Sequence, residues 1–337
     1  MVAAIPDPVR GQPAAQAEAP PQAVAVRATA ATSDRRAPLG WMPLMAPEPH
    51  PPRSVNAALR AAARILAETG VPAPDVDAEL LVGHVLGLSR GGVQAAALRD
   101  DALDAPAAHE LQGLIARRAA REPLQHLVGA APFRHLELQV GPGVFVPRPE
   151  TEVLAQIAID ALAAVPTPAP RAVDLGTGSG AIALALATEV PHAHVWAAER
   201  SAAAHAWAQR NFARYGTDNA HLVLGDLADA FPDLDGTIDV VASNPPYVPD
   251  DAIPREPEVR LFDPHEALYG GADGLDVVRV LSRVGLRLAR PGGIIAIEHG
   301  EWQGEPIRAI LAADGWRAAA THPDLTMRDR ATTAIRP

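Results

Sequence analysis

Apolar residues first recur at helical spacing from Ser54 onward. Val55, Leu59, Ala62 and Leu66 repeat every three or four positions, Ser54 is placed to cap the start, and Gly70 to end the run. A second helix is expected from about Asp75, with Leu81, Val85 and Leu88 on one face and Gly91–Gly92 stopping it. A third is expected from about Asp104 to Arg121, with Leu111, Leu114 and Ile115 apolar. Three short amphipathic helices predict a small helical domain over residues 53–122. Each offers one apolar stripe, so they must pack on each other or on the next domain. Over residues 123–147, Phe133, Leu136, Leu138 and Val140 include a period-two stretch, and Gly141-Pro142-Gly143 reads as a turn. A β-hairpin connector is expected there. Pro149 suits the first turn of a new helix, and Glu150 and Glu152 would favour its positive end.

From Arg171 the pattern alternates strand and helix. Strands are expected at Arg171–Leu175, Val195–Glu199, Leu222–Asp226, Ile238–Asn244 and Gly293–Glu298, with helices between. In one of these, Leu275, Val278, Leu281, Val284 and Leu288 share a face. This rhythm predicts an α/β domain over residues 148–337, a largely parallel, doubly wound, Rossmann-like sheet covered on both faces. Its ligands belong at the carboxyl ends of the strands. Residues 1–52 differ: eleven of the 34 prolines lie between Pro6 and Pro52, with Trp41 the only aromatic. That tail is expected to be disordered, with Met42 and Met45 as alternative starts.

Composition narrows the function. With 29 Arg and no Lys against 40 acidic residues, the net charge is −11. Such a chain has no bulk attraction to nucleic acid or an anionic membrane. The absence of Cys excludes disulfides, thiolate metal sites and cysteine nucleophiles. No apolar run reaches the length of a membrane span. Arg35–Arg36 is followed by proline-broken sequence rather than an export signal, so a cytoplasmic protein, acting as a monomer, is expected. His192 and His194 have no third ligand nearby in sequence, and no bound metal is expected. Arg117, Arg118 and Arg121 read as a solvated basic face.

The chemistry concentrates after the strands. The first runs into Asp174-Leu175-Gly176-Thr177-Gly178-Ser179-Gly180, where glycines let a ligand lie against the main chain. Asp174, two residues before the first glycine, would attract a cationic ligand and repel a pyrophosphate. Glu199 can accept both hydroxyls of a ribose, and Asp226 a hydrogen bond from an adenine amino group. That order of groups fits S-adenosylmethionine. The fourth strand closes on Asn244-Pro245-Pro246-Tyr247. Consecutive prolines cannot donate ladder bonds, so the strand stops with carbonyls free. Asn244 Oδ1 and the Pro245 carbonyl can hold both hydrogens of a planar NH₂ group, and Tyr247 offers an aromatic face. Two acceptors pulling on those hydrogens favour the electron-rich nitrogen of a methyl-transfer transition state.

The glycine loop with Asn-Pro-Pro-Tyr resembles class I methyltransferases that act on planar NH₂ groups. Glu122-Pro-Leu-Gln-His-Leu-Val-Gly129, Val146-Pro-Arg-Pro-Glu-Thr-Glu152, and Glu298-His-Gly300 with Gln303-Gly304 narrow the resemblance to the HemK/PrmC family of release factor glutamine methyltransferases. The resemblance runs from about Arg53 to the end. It implies S-adenosylmethionine as cofactor, and as substrate the Gly-Gly-Gln glutamine of class 1 peptide chain release factors. It also implies that Gly176–Gly180 and Glu199 bind the cofactor, that Asp226 and Leu227 flank adenine, and that Asn244 to Tyr247 hold the amide, Asn244 touching both ligands. Leu227 stands where some members carry Trp, and so offers no ring to stack. Residues 146–152 would either close over the active site or serve as a stiff linker into a helix, and the helical domain would dock the release factor. The competing reading is a nucleic-acid methyltransferase acting on an exocyclic amine of adenine or guanine, which would want a basic groove. An oxidoreductase reading leaves Asn-Pro-Pro-Tyr without a role.

Overall fold

The computed structural model describes residues 53–216 and 218–337. The tail expected to be disordered lies outside the described residues. The chain begins with helices α1 (Val55–Glu68), α2 (Pro74–Leu86), α3 (Arg90–Leu98), α4 (Ala105–Ala119) and α5 (Leu124–Val128). Ser54 caps α1 as expected, its Oγ accepting from the Ala57 amide, and Asp104 caps α4 through the Ala107 amide. The second helix stops at Gly87 in the left-handed conformation, not at Gly91–Gly92. Those two glycines lie in the first turn of α3, an unexpected helix capped by Ser89. Without side chains Gly91–Gly92 look like a stop, yet the cap and the burial of Val93 and Ala96 outweigh their poor propensity. Leu66, Leu81, Val93, Leu111 and Leu127 pack into one core, so α5 joins the helical region.

The hairpin pairs β1 (Ala130–Phe133) with β2 (Leu136–Gln139). Arg134–His135 makes the turn between its strands, Arg134 taking a positive φ of 53°, and the expected turn at Gly141–Gly143 follows β2, where the Val144 amide donates to the Gly141 carbonyl. Helix α6 (Thr151–Ala163) follows. The sheet domain then alternates β3 (Arg171–Leu175), α7 (Ala181–Glu189), β4 (His194–Glu199), α8 (Ala202–Tyr215), β5 (Ala220–Leu224) and β6 (Ile238–Ser243). Short helices α9 (Pro257–Phe262) and α10 (His265–Leu268) precede α11 (Asp276–Leu288) and β7 (Ala289–Glu298). Helix α12 (Gly304–Asp314) leads to β8 (Arg317–Pro323) and β9 (Asp329–Ile335).

The seven strands lie in the order β5-β4-β3-β6-β7-β9-β8. The five expected strands are parallel; β9 and β8 add antiparallel pairs that the sequence pattern did not reveal. Most of β8 is solvent-accessible, so it carries no apolar alternation to read. One face of the sheet is covered by α6 and α7, where residues 181–187 are all buried, and the other by α11 and α12. From β3 the chain moves outward through β4 to β5, then returns to lay β6 on the other side of β3. That reversal leaves a crevice at the carboxyl ends of β3 and β6. Ser243 Oγ donates to the Leu175 carbonyl at 2.6 Å across it.

The three arginines at the end of α4 do not form a solvated basic face. Arg118 is 5% exposed, its Nε on Asp77 at 2.7 Å and its Nη1 on Glu258 at 2.8 Å. Arg121 grips Glu258 with Nε at 2.9 Å and Nη2 at 2.7 Å, and Arg117 pairs with Glu122. Burial would raise the Glu258 carboxyl, but Arg121 and Arg118 hold it below the usual range. The partners of Arg118 and Arg121 lie far away in sequence, on α2 and α9, which is why charge spacing alone misreads the cluster.

Candidate active site

The glycine loop is held from behind. Asp174 is fully buried and does not line the crevice: its Oδ2 accepts from the Thr177 hydroxyl at 2.5 Å and the Ala183 amide at 3.1 Å. Burial pushes its carboxyl up to about 7, against those two hydrogen bonds. Its Oδ2 thus braces the loop, and its Oδ1 has no hydrogen-bond partner among the described residues. Asn211 of α8, also buried, bonds the Ser179 carbonyl at 2.9 Å and both backbone groups of Gln139, stitching the loop to the hairpin. Its partners are remote in sequence, so no local pattern marked it.

Gly178 and Gly180 need their missing side chains. Gly178 has φ +58° and points its amide at Glu199 Oε2, 2.8 Å away, with open space where a Cβ would stand. Gly180 has φ +89° at the start of α7, and a Cβ there would lie 2.9 Å from Phe212. Gly180→Ala is therefore expected to destabilise the fold by about 2 kcal/mol from backbone strain alone. A thermal melt unchanged from wild type would contradict it.

A cavity of about 560 Å³ opens at the switch point, a size suited to a nucleoside-type ligand. Gly176, Thr177, Gly178 and Ser179 line one side, Glu199, Asp226 and Leu227 the next, and Asn244, Pro245 and Pro246 the far end. Of the expected site residues, Asp174, Gly180 and Tyr247 are outside the lining. Tyr247 instead turns its hydroxyl onto Glu298 Oε1 at 3.4 Å, and burial raises its pKa. Glu199 accepts the Gly178 amide on one oxygen and the Ser201 amide on the other, both at 2.8 Å, and still presents lone pairs to the cavity. Asp226 Oδ1 accepts from the Ala228 amide. Asn244 Nδ2 donates to Thr151 Oγ1 at 3.2 Å, so its Oδ1 is the end left for a ligand.

Sequence reading did not single out Phe145, and weighed Pro147 and Thr151 only as part of residues 146–152, yet all three line the cavity. Residues 146–152 contribute Pro147 and Thr151 to the cavity wall and lead into α6. Arg148 anchors the segment, 2.6 Å from buried Asp263 and stacked 5.0 Å over the Phe145 ring. The glycine backbone, ribose-type acceptor, adenine-end carboxylate and facing amide oxygen fit S-adenosylmethionine. Among the described residues no three His, Asp or Glu gather as metal ligands, and no helix is long and apolar enough to cross a membrane.

Residues 57–129 match the PrmC N-terminal domain, and residues 136–263 the methyltransferase small domain. A release factor glutamine methyltransferase of Streptomyces coelicolor is 49% identical over 80% of this chain and 93% of its own length. One from Mycolicibacterium smegmatis is 43% identical over 84% and 98%. A 4-amino-L-phenylalanine/4-methylamino-L-phenylalanine methyltransferase of Streptomyces pristinaespiralis is 39% identical over 77% and 87%. Among solved structures, a release-factor-specific protein-(glutamine-N5) methyltransferase of Alicyclobacillus acidocaldarius is 27% identical, with a TM-score of 0.35 over 59% of this chain and 98% of that one.

Proposed function

This chain belongs to the release factor glutamine methyltransferase family, and from that premise we propose that it methylates the side-chain amide nitrogen of the glutamine in the Gly-Gly-Gln motif of class 1 peptide chain release factors. The observation that carries the reading is the sense of the Asn244 amide, whose nitrogen is spent on Thr151 and whose oxygen is left for the cavity. Bound S-adenosylmethionine supplies an electrophilic methyl group on a sulfonium.

The residues of the chain do the rest. Asn244 Oδ1 and the carbonyl of Pro245, a residue with no N–H to offer, accept the two amide hydrogens of the substrate glutamine. Drawing on both hydrogens raises electron density on a nitrogen whose lone pair is otherwise delocalised, and fixes its direction of attack. Glu199 holds the glycine loop in shape and accepts ribose hydroxyls, and Asp226 accepts at the adenine end. The helical region carries the release factor, and the protein works as a cytoplasmic monomer beside the translation machinery. A nucleic-acid substrate is not favoured, since the relatives named above act on release factors and a small amine.

Glu199→Gln should weaken affinity for S-adenosylhomocysteine about 10- to 100-fold, because an amide NH₂ then opposes one of two backbone N–H donors. Calorimetry reads this directly, and an unchanged Kd would remove Glu199 from the site. The substrate is tested with labelled cofactor against release factor, DNA, RNA and 4-amino-L-phenylalanine, followed by mass spectrometry. Label on any acceptor other than the release factor glutamine counts against the reading.

A further inference from the structure

Glu298-His-Gly300 with Gln303 has no part in the chemistry so far, yet it lies beside the amide clamp. Ser243, which precedes Asn244, is level with Ile297 in the sheet, so β6 and β7 end together. Gln303 Nε2 donates to the Tyr247 carbonyl and its Oε1 accepts the Gly300 amide, both at 2.9 Å. Residues 300–303 therefore form a turn braced against the clamp, and Trp302 within it is 86% exposed. A second turn stands next to it. β9 runs antiparallel to β7 with Ala331 opposite Glu298, and β8 antiparallel to β9, so residues 324–328 emerge at the same end of the sheet as Asn244. Arg328 Nε meets Glu301 Oε2 at 3.7 Å between the two turns. Leu325 and Met327 are 96% and 81% exposed there.

Hydrogen bonds fix the second turn. Asp324 is buried, and its Oδ1 accepts the Thr326 amide at 2.8 Å, the Thr326 hydroxyl at 2.6 Å and the Arg328 amide at 3.2 Å. The Met327 amide donates to the Asp324 carbonyl at 2.9 Å, and the Asp324 amide to the Arg328 carbonyl at 2.7 Å. Met327 takes φ +64°, a conformation unfavourable for a side chain of its size. The turn is thus held in a shape that puts two large apolar side chains into water, which folding alone does not reward. Single exposed apolar residues are ordinary, but three large ones on adjoining braced turns mark a contact surface. Trp and Met are also types that protein interfaces favour.

The acceptor group indicates what covers them. A glutamine held by Asn244 and Pro245 brings its own backbone to the cavity mouth. The protein surface on either side of that backbone must then lie over the carboxyl ends of β6 and β7, where both turns stand. A free amide or small amine would fill the cavity and leave the turns in water. We propose that Trp302, Leu325 and Met327 dock an apolar surface of the release factor beside its Gly-Gly-Gln loop, a contact separate from that of the helical region. The inference rests on the glutamine methylation reading above. The three side chains are outside the cavity lining, so their loss falls on KM for the protein substrate and leaves kcat in place.

The test uses the full chain with an intact release factor. Combining Trp302→Ala, Leu325→Ala and Met327→Ala should raise KM for the release factor about 30-fold. At saturation kcat, and the Kd for S-adenosylhomocysteine, should stay within about twofold of wild type. Melting temperature should move by about 2 °C or less, because the three side chains are exposed. A second set, Trp302→Phe with Leu325→Met and Met327→Leu, keeps the apolar surface and should hold KM within about threefold of wild type. Calorimetry of release factor onto enzyme loaded with S-adenosylhomocysteine checks that KM follows binding. An alanine set that binds release factor as wild type does, or an apolar set as weak as the alanine set, overturns the proposal. So does a wild-type chain that dimerises, or sediments with phosphatidylglycerol vesicles, through these residues, since the surface then belongs to a second copy or to lipid. Binding that the alanine set weakens, with no methyl on the glutamine, supports the docking surface and sinks the substrate reading; a wild-type chain that does not bind release factor sinks both.

Discussion

Asn244→Ala is expected to lower kcat about 10³-fold while leaving the fold in place, the upper end of what losing one preorganised polar group costs. Among the described residues the side chain makes a single hydrogen bond, to Thr151, and it is only partly buried. Its removal therefore leaves no large void and no unpaired charge, and the melting temperature should move by only about 3 °C or less. What disappears is an acceptor aimed at a hydrogen of the attacking nitrogen. The interaction gains strength as that nitrogen becomes tetrahedral, so the loss falls on kcat more than on KM. Single-turnover methylation of a release factor, with calorimetry for S-adenosylhomocysteine alongside, separates the two. Methylation within tenfold of wild type would remove the clamp from the mechanism.

Arg118→Ala is expected to give the largest loss of stability, about 3 kcal/mol, because it leaves the buried Asp77 carboxylate without its partner. For a chain of this size that is roughly 6–12 °C in melting temperature. Glu258 keeps two bonds from Arg121, so the penalty centres on Asp77. Pairing Arg118→Met with Asp77→Leu should recover much of the loss, since a packed apolar pair replaces a buried ion pair at little net cost. A single variant as stable as wild type would show that Arg118 is dispensable to the packing of α2, α4 and α9.

Local chemistry made much of the site legible. The glycines at 176, 178 and 180 and the consecutive prolines after β6 act through their own backbone, and Glu199 and Asp226 each bond an amide two residues on. Their meaning therefore survives in a contiguous string. Helix spacing and caps were legible for the same reason: Ser54 and Asp104 bond amides three residues away. Where a local signal competed with packing, it misled. Gly91–Gly92 read as a stop, yet Ser89 and two buried side chains carry a helix through them.

By itself the sequence determined the parallel order of elements, the glycine loop and the Asn-Pro-Pro-Tyr terminus, because each follows from backbone periodicity and proline chemistry. Only the tertiary structure decided which carboxylates face a ligand. Asp174 braces the loop while Glu199 lines the cavity, although both lie at the carboxyl ends of neighbouring strands of the same sheet. It also decided that Arg118 would be buried, that β8 and β9 would complete the sheet, and that Thr151 would accept a hydrogen bond from an amide 93 positions along the chain. These outcomes depend on partners brought together by burial, and the free energy of burying a charge or an amide is set by neighbours that no local window contains.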